Sequence, residues 1–180
     1  MADFCAPDSK RGMAMILGLS IAAFTIIHVI ISLIAIATGL VVLVAMLQSE
    51  SKPRLTAIFL GTTILTSVTG FMFPLNALTP ALITGAISLS VLALTLLALY
   101  AFRLMRAWRW VYVVTAIAAL YFNCFVLVVQ SFQKIGFLQA LAPTQSETPF
   151  IVAQTVVLVL FLVFGYAAVK RFHPPAMARA

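Results

Sequence analysis

The stretch FTIIHVIISLIAIATGLVVLVAML, from Phe24 to Leu47, runs without a single Lys, Arg, Asp or Glu. An α-helix rises 1.5 Å per residue, so about 20 such residues cross the roughly 30 Å of hydrocarbon in a bilayer. Four further stretches read the same way: Leu55 to Phe73, Ala81 to Phe102, Trp110 to Phe132 and Phe150 to Val169. The chain is therefore expected to be an all-α polytopic transmembrane bundle of about five spans.

The composition agrees. Of 180 residues, 64% are hydrophobic and 8% charged, whereas a soluble domain carries roughly 25% charged residues to cover its surface. The net charge of +7 does not point to nucleic acid, because the basic residues sit in short clusters between apolar runs and not on one polar face. Proline placement is an independent check, since a proline inside a helix removes a hydrogen bond and clashes with the preceding turn. Pro53, Pro74, Pro80, Pro143, Pro149, Pro174 and Pro175 all fall at or beyond the expected ends, and Pro7 lies in the tail.

Lys and Arg are retained on the cytoplasmic side of a membrane. Lys52, Arg54, Arg103, Arg106, Arg109, Lys170, Arg171 and Arg179 collect on one side of the five spans, against Lys10, Arg11 and Lys134 on the other. Eight against three gives an N-out, C-in orientation. Trp108, Trp110 and Tyr112 fit an aromatic belt at the basic interface.

The first apolar run is overlong. From Met13 to Leu47 it has 35 residues, about 52 Å as helix. A span counted back from Leu47 begins near His28, leaving Met13 to Ile27 as surplus that projects outward or packs on a partner. The alternative is a signal sequence, with Lys10 and Arg11 as its charged start and Ser20-Ile21-Ala22 as its cleavage site. Residues 1–23 are accordingly set apart as a tail, 24–172 form a single transmembrane domain, and 173–180 a short cytoplasmic tail. In the loop between Gln133 and Pro149, Ile135, Phe137, Leu138 and Leu141 suggest a short surface helix, and Ser146 or Thr148 a cap for the last span. Cys5 and Cys124 lack the spacing of a thiol relay and are expected to be unpaired.

His28 is the one histidine within a span, and ionisable residues there are functional candidates; the plainer reading is an interfacial histidine bonded to water or a headgroup. Ser32 lies one turn deeper on the same face. His173 lies beyond the far end of the last span, so the two histidines cannot share a haem, and no span carries a carboxylate for zinc or di-iron. No metal and no cofactor is expected. Asn123, Gln130 and Lys134 fall along one face of the fourth span, and Gln154 in the fifth belongs at the depth of Gln130. With His28, Ser67, Thr69, Asn76 and Thr84 they compose an outer-leaflet polar patch. It reads either as a ligand site at His28, Asn123, Gln130 and Gln154, or as hydrogen bonding between helices. Thr62, Thr63, Thr66, Ser88, Ser90 and Thr95, with the pairs Ala35–Gly39 and Ala81–Gly85, indicate helix contacts. Arg103, Arg106 and Arg109 mark topology and contact with anionic lipid.

Ala107-Trp108-Arg109-Trp110-Val111-Tyr112-Val113-Val114-Thr115 and Leu141-Ala142-Pro143-Thr144-Gln145-Ser146 resemble a family of small uncharacterised bacterial inner-membrane proteins, from about His28 to Phe172. The resemblance implies that location and no activity. With no catalytic, metal or nucleotide signature, the first expectation is a non-catalytic accessory or regulatory component, with the bilayer and a homo-oligomer or larger membrane complex as partners. The alternatives are an oligomeric transporter or channel for small solutes or lipids, and a quinone-interacting redox protein.

Overall fold

The computed structural model describes residues 15–16, 18–73 and 80–173. Cys5, Pro7, Lys10, Arg11, Pro74, Asn76, Pro174, Pro175 and Arg179 lie outside them. Five helices are long and apolar enough to span a membrane, which fits a multi-pass membrane protein. They are α1 (Ile21–Leu47), α2 (Pro53–Phe71), α3 (Pro80–Leu96, continued by a π-helical turn at Leu97–Ala101), α4 (Trp108–Lys134) and α6 (Thr148–Arg171), with the short α5 (Gly136–Leu141) before the last.

Local chemistry sets the ends. Pro53 and Pro80 each open a helix, where the missing N–H has no partner to lose. Helix α1 begins at Ile21, three residues before the expected Phe24, because the Ser20 side chain accepts the Ala23 N–H at 3.3 Å. Just before it, Met15–Ile16 and Leu19–Ser20 pair antiparallel around Gly18, whose φ of +79° suits a residue without Cβ. Part of the surplus run is thus helix and part folds back as a tight hairpin. Ser20, Ile21 and Ala22 form the cap and first turn of α1.

The helices alternate in direction, as their cross-links show. At one end His28 of α1 meets Thr69 of α2, and Gln154 of α6 meets Phe125 of α4. At the other, His173 N–H donates to Ser49 Oγ at 2.8 Å and Arg109 donates to the Phe172 carbonyl. This second, basic end also holds the Glu50–Lys52 ion pair. Helices α1 to α4 form a four-membered ring in which α4 closes back on α1, and α6 leans against α4 and α1 from outside.

The core lies in the basic half. Val42, Leu43 and Met46 of α1, Phe59 and Leu60 of α2, Leu92 of α3 and Tyr112, Val113, Ile117 and Leu120 of α4 are buried against one another. Gly39 makes that packing close: a Cβ there would stand 2.5 Å from Leu120 Cδ1 and 2.9 Å from the Phe59 ring. Outward, the long apolar side chains are exposed, and Ala168 alone is buried on α6, while Val156, Leu162, Val163 and Tyr166 stand clear. Such a surface is stable in lipid and not in water.

Candidate functional site

Above the Gly39 contact the four helices separate around a cavity of about 450 Å³. Its walls come from the His28 ends of α1, α2 and α3 and from one face of α4. Phe71, Phe73, Leu33, Ile36, Phe122 and Val126 make it chiefly apolar, and among the described residues Lys134 is the one Lys, Arg, Asp or Glu on its lining. Gly85 lets the Phe71 ring pack closely on α3, since a Cβ there would come within 3.1 Å of it.

The polar groups are positioned by one helix. On α2, Thr63, Thr66 and Thr69 recur every three residues, and each bonds a side chain of another helix. Thr63 Oγ1 takes Asn123 Nδ2 of α4 at 3.1 Å, Thr66 Oγ1 and Ser32 Oγ of α1 bond each other at 3.3 Å, and Thr69 Oγ1 bonds His28 Nδ1 of α1 at 2.7 Å. Thr63 and Thr69 can only accept in these bonds, because their single protons go to carbonyls of their own helix, Phe59 O and Leu65 O, each at 2.7 Å. Ser67 of α2 and Ser88 of α3 bond each other at 3.4 Å. These hydroxyls satisfy the polar groups of the bundle and at the same time orient those facing the cavity.

Of the residues expected to form a ligand site, His28, Asn123 and Gln130 line this cavity, as do Ser67, Thr84 and Lys134. Gln154 does not. It sits on α6 outside the ring, its Nε2 donating to Phe125 O at 3.2 Å while its Oε1 is sealed without a partner. The Arg cluster is at the opposite end: Arg109 is tied to Phe172, whereas Arg103 and Arg106 are exposed in a turn where both adopt positive φ. Thr63 and Thr66 read from sequence as helix contacts only; their i, i+3 spacing opposite Ser32 and Asn123 was the signal of a role at the site.

Gln130 and Lys134 form no hydrogen bond or ion pair with other described residues, so both stand available at the cavity mouth. Nearby, Glu147 closes the turn before α6. Its slight burial works against ionisation, but the Thr144 N–H and hydroxyl and the Ser146 N–H bind the carboxylate and hold it below the usual range. Among the described residues no three His, Cys, Asp or Glu side chains gather where a metal ion could be shared. The arrangement suits reversible binding of a small amphiphile. Comparisons with models of protein families, with curated proteins and with solved structures give no match.

Proposed function

We propose that this protein is a non-catalytic, multi-pass component of a bacterial inner membrane that holds one lipid-soluble small molecule in its four-helix cavity. The carrying observation is the cavity itself: about 450 Å³ of mainly apolar space with His28, Asn123, Gln130 and Lys134 on its walls, the combination by which pockets bind drug-sized molecules. The excess of Lys and Arg at the far end supports an orientation with this cavity in the outer leaflet, and the resemblance noted around Trp108 and Pro143 supports the inner membrane. The packed basic half, closed by Gly39, Phe59 and Leu120, favours holding a molecule over conducting one.

Native mass spectrometry of protein released from nanodiscs tests this. The wild type should carry a retained adduct, and Val126→Trp, which fills the cavity from α4, should lose it while keeping its helical circular dichroism. A wild type that is empty, and that takes up no quinol, quinone, fatty alcohol or fatty acid when these are added, would overturn the reading.

A further inference from the structure

We infer that the cavity selects a ligand that donates hydrogen bonds, specifically a ring hydroxylated at opposite ends such as a quinol, and discriminates against the corresponding quinone. This rests on the binding reading above and adds the class of the ligand. The geometry behind it is the direction of two hydrogen bonds. Thr69 has already given its proton to Leu65 O, so the 2.7 Å contact with His28 requires the imidazole to donate from Nδ1. A neutral His28 then carries no proton on Nε2, which is left as an acceptor. By the same logic Thr63, whose proton is on Phe59 O, fixes the Asn123 amide with its nitrogen toward Thr63 and its Oδ1 turned away.

Neither His28 Nε2 nor Asn123 Oδ1 has a partner among the described residues. Neither is sealed, since Gln154 Oε1 is the only such atom among them that is both buried and unbonded. Both residues line the cavity, so the space holds two acceptors with nothing to receive from. An acceptor left unpaired away from water is costly, and a bound molecule that supplies donors removes that cost. The mouth adds donors, Gln130 and Lys134. A hydroxyl meets both sets because it gives a proton and accepts one, whereas a quinone carbonyl or a carboxylate only accepts.

The spacing narrows the choice. The residues that orient the two acceptors, Thr63 and Thr69, are six positions apart on α2, about 9 Å along its axis. His28 and Asn123 are therefore tied at different depths, and two hydroxyls, one at each end of an aromatic ring, reach both where a single hydroxyl reaches one.

The experiment measures binding to the full-length protein in nanodiscs, anaerobically and at pH 8, where an ordinary histidine of pKa about 6.5 is neutral. Four probes are compared: a decyl-tailed benzoquinol, its oxidised quinone, a long-chain alcohol and a fatty acid. The quinol is expected to bind at least about tenfold tighter than its quinone and than the alcohol, the effect of one well-made hydrogen bond. Thr69→Val, which lies behind the lining, should reduce that preference to within about twofold by releasing the ring to its other tautomer, and Thr69→Ser should restore it. In a His173→Gln background, nitrogen-15 NMR should show His28 protonated at Nδ1, with the Nε2 signal shifting when quinol is added. Quinone binding as tightly as quinol would overturn the inference while leaving the cavity a binding site. An alcohol equal to the quinol would remove the two-point contact, and a proton found on Nε2 in the wild type would remove its basis. Failure of all four probes would instead take down the proposed function.

Discussion

Replacing Gly39 by alanine should loosen the bundle at the floor of the cavity, and the structure gives the size of the effect. The new Cβ would lie 2.5 Å from Leu120 Cδ1 and 2.9 Å from Phe59 Cδ2 and Cε2. Leu120 and Phe59 are both 1% exposed, so neither can swing into open space. Overpacking of this kind costs about 1–3 kcal/mol. Against it stands the greater helix propensity of alanine, about 1 kcal/mol. Gly61 on α2 is the control, for nothing lies within 4 Å of a Cβ built there. Because the propensity gain is shared, the difference between Gly39→Ala and Gly61→Ala isolates the clash and should be about 1–3 kcal/mol, with Gly61→Ala the more stable.

The assay is reversible unfolding in mixed micelles, followed by helical circular dichroism and by the fluorescence of Trp108 and Trp110. Leu120→Ala alone leaves a hole and should cost about 2–5 kcal/mol. Combined with Gly39→Ala it should cost less than the sum by at least about 0.5 kcal/mol, since the added methyl then has room. If Gly39→Ala and Gly61→Ala agree within about 0.5 kcal/mol, the close approach of α1, α2 and α4 at Gly39 is wrong.

Gln154→Leu should be neutral or stabilising by up to about 1 kcal/mol, because it gives up one bond to a carbonyl within α4 and removes a sealed, unpartnered Oε1; a clear loss in the same unfolding assay would show that Oε1 has a partner. The Glu147 carboxyl is held below its ordinary value, so its contribution to the turn is present at neutral pH and is lost as pH falls below about 4.3 through its folded value. Hydrogen exchange at residues 144–147 should therefore accelerate on acidification in the wild type, while Glu147→Gln should show faster exchange already at neutral pH and little further change. Arg109→Met should free the segment after α6, read as faster amide exchange at Phe172 and His173, with α4 itself unchanged; equal exchange in the two proteins would mean the Phe172 tie restrains nothing.

The fold was legible because hydrocarbon imposes one requirement on every spanning segment, an uncharged run of sufficient length with no proline inside it. That requirement locates α2, α3, α4 and α6 within a few residues. It fails at the start of α1, where apolar residues continue past any membrane boundary and only a short-range interaction, the Ser20 cap on Ala23, ends the helix. At the site, the helical face shared by Asn123, Gln130 and Lys134 was readable from offsets of seven and four. Their depth relative to Gln154 was also readable, but not the side of α4 on which α6 would lie. Depth follows from counting residues along a span; the angular position of one helix about another depends on how Gly39, Phe59 and Leu120 interlock, which no single-sequence periodicity contains.

The polar groups of such a bundle are read differently once their protons are followed. A count of hydroxyls on α2 suggests adhesion between helices, and the distances agree with that. Yet each of Thr63 and Thr69 spends its proton within its own helix, so at these two positions α2 offers its neighbours acceptors only. Asn123 and His28 must answer as donors, which leaves the remaining polar atoms of these two cavity-lining residues as acceptors. The same bonds that join α1 and α4 to α2 therefore set the polarity of a surface they do not touch. Thr69→Val would remove the His28 bond at a cost of only about 0.6 kcal/mol, that of an average contact between membrane helices, and with it the constraint on which imidazole nitrogen carries the proton. Helix adhesion and ligand preference are consequently separable at this residue, since the first depends on the strength of the bond and the second on its direction.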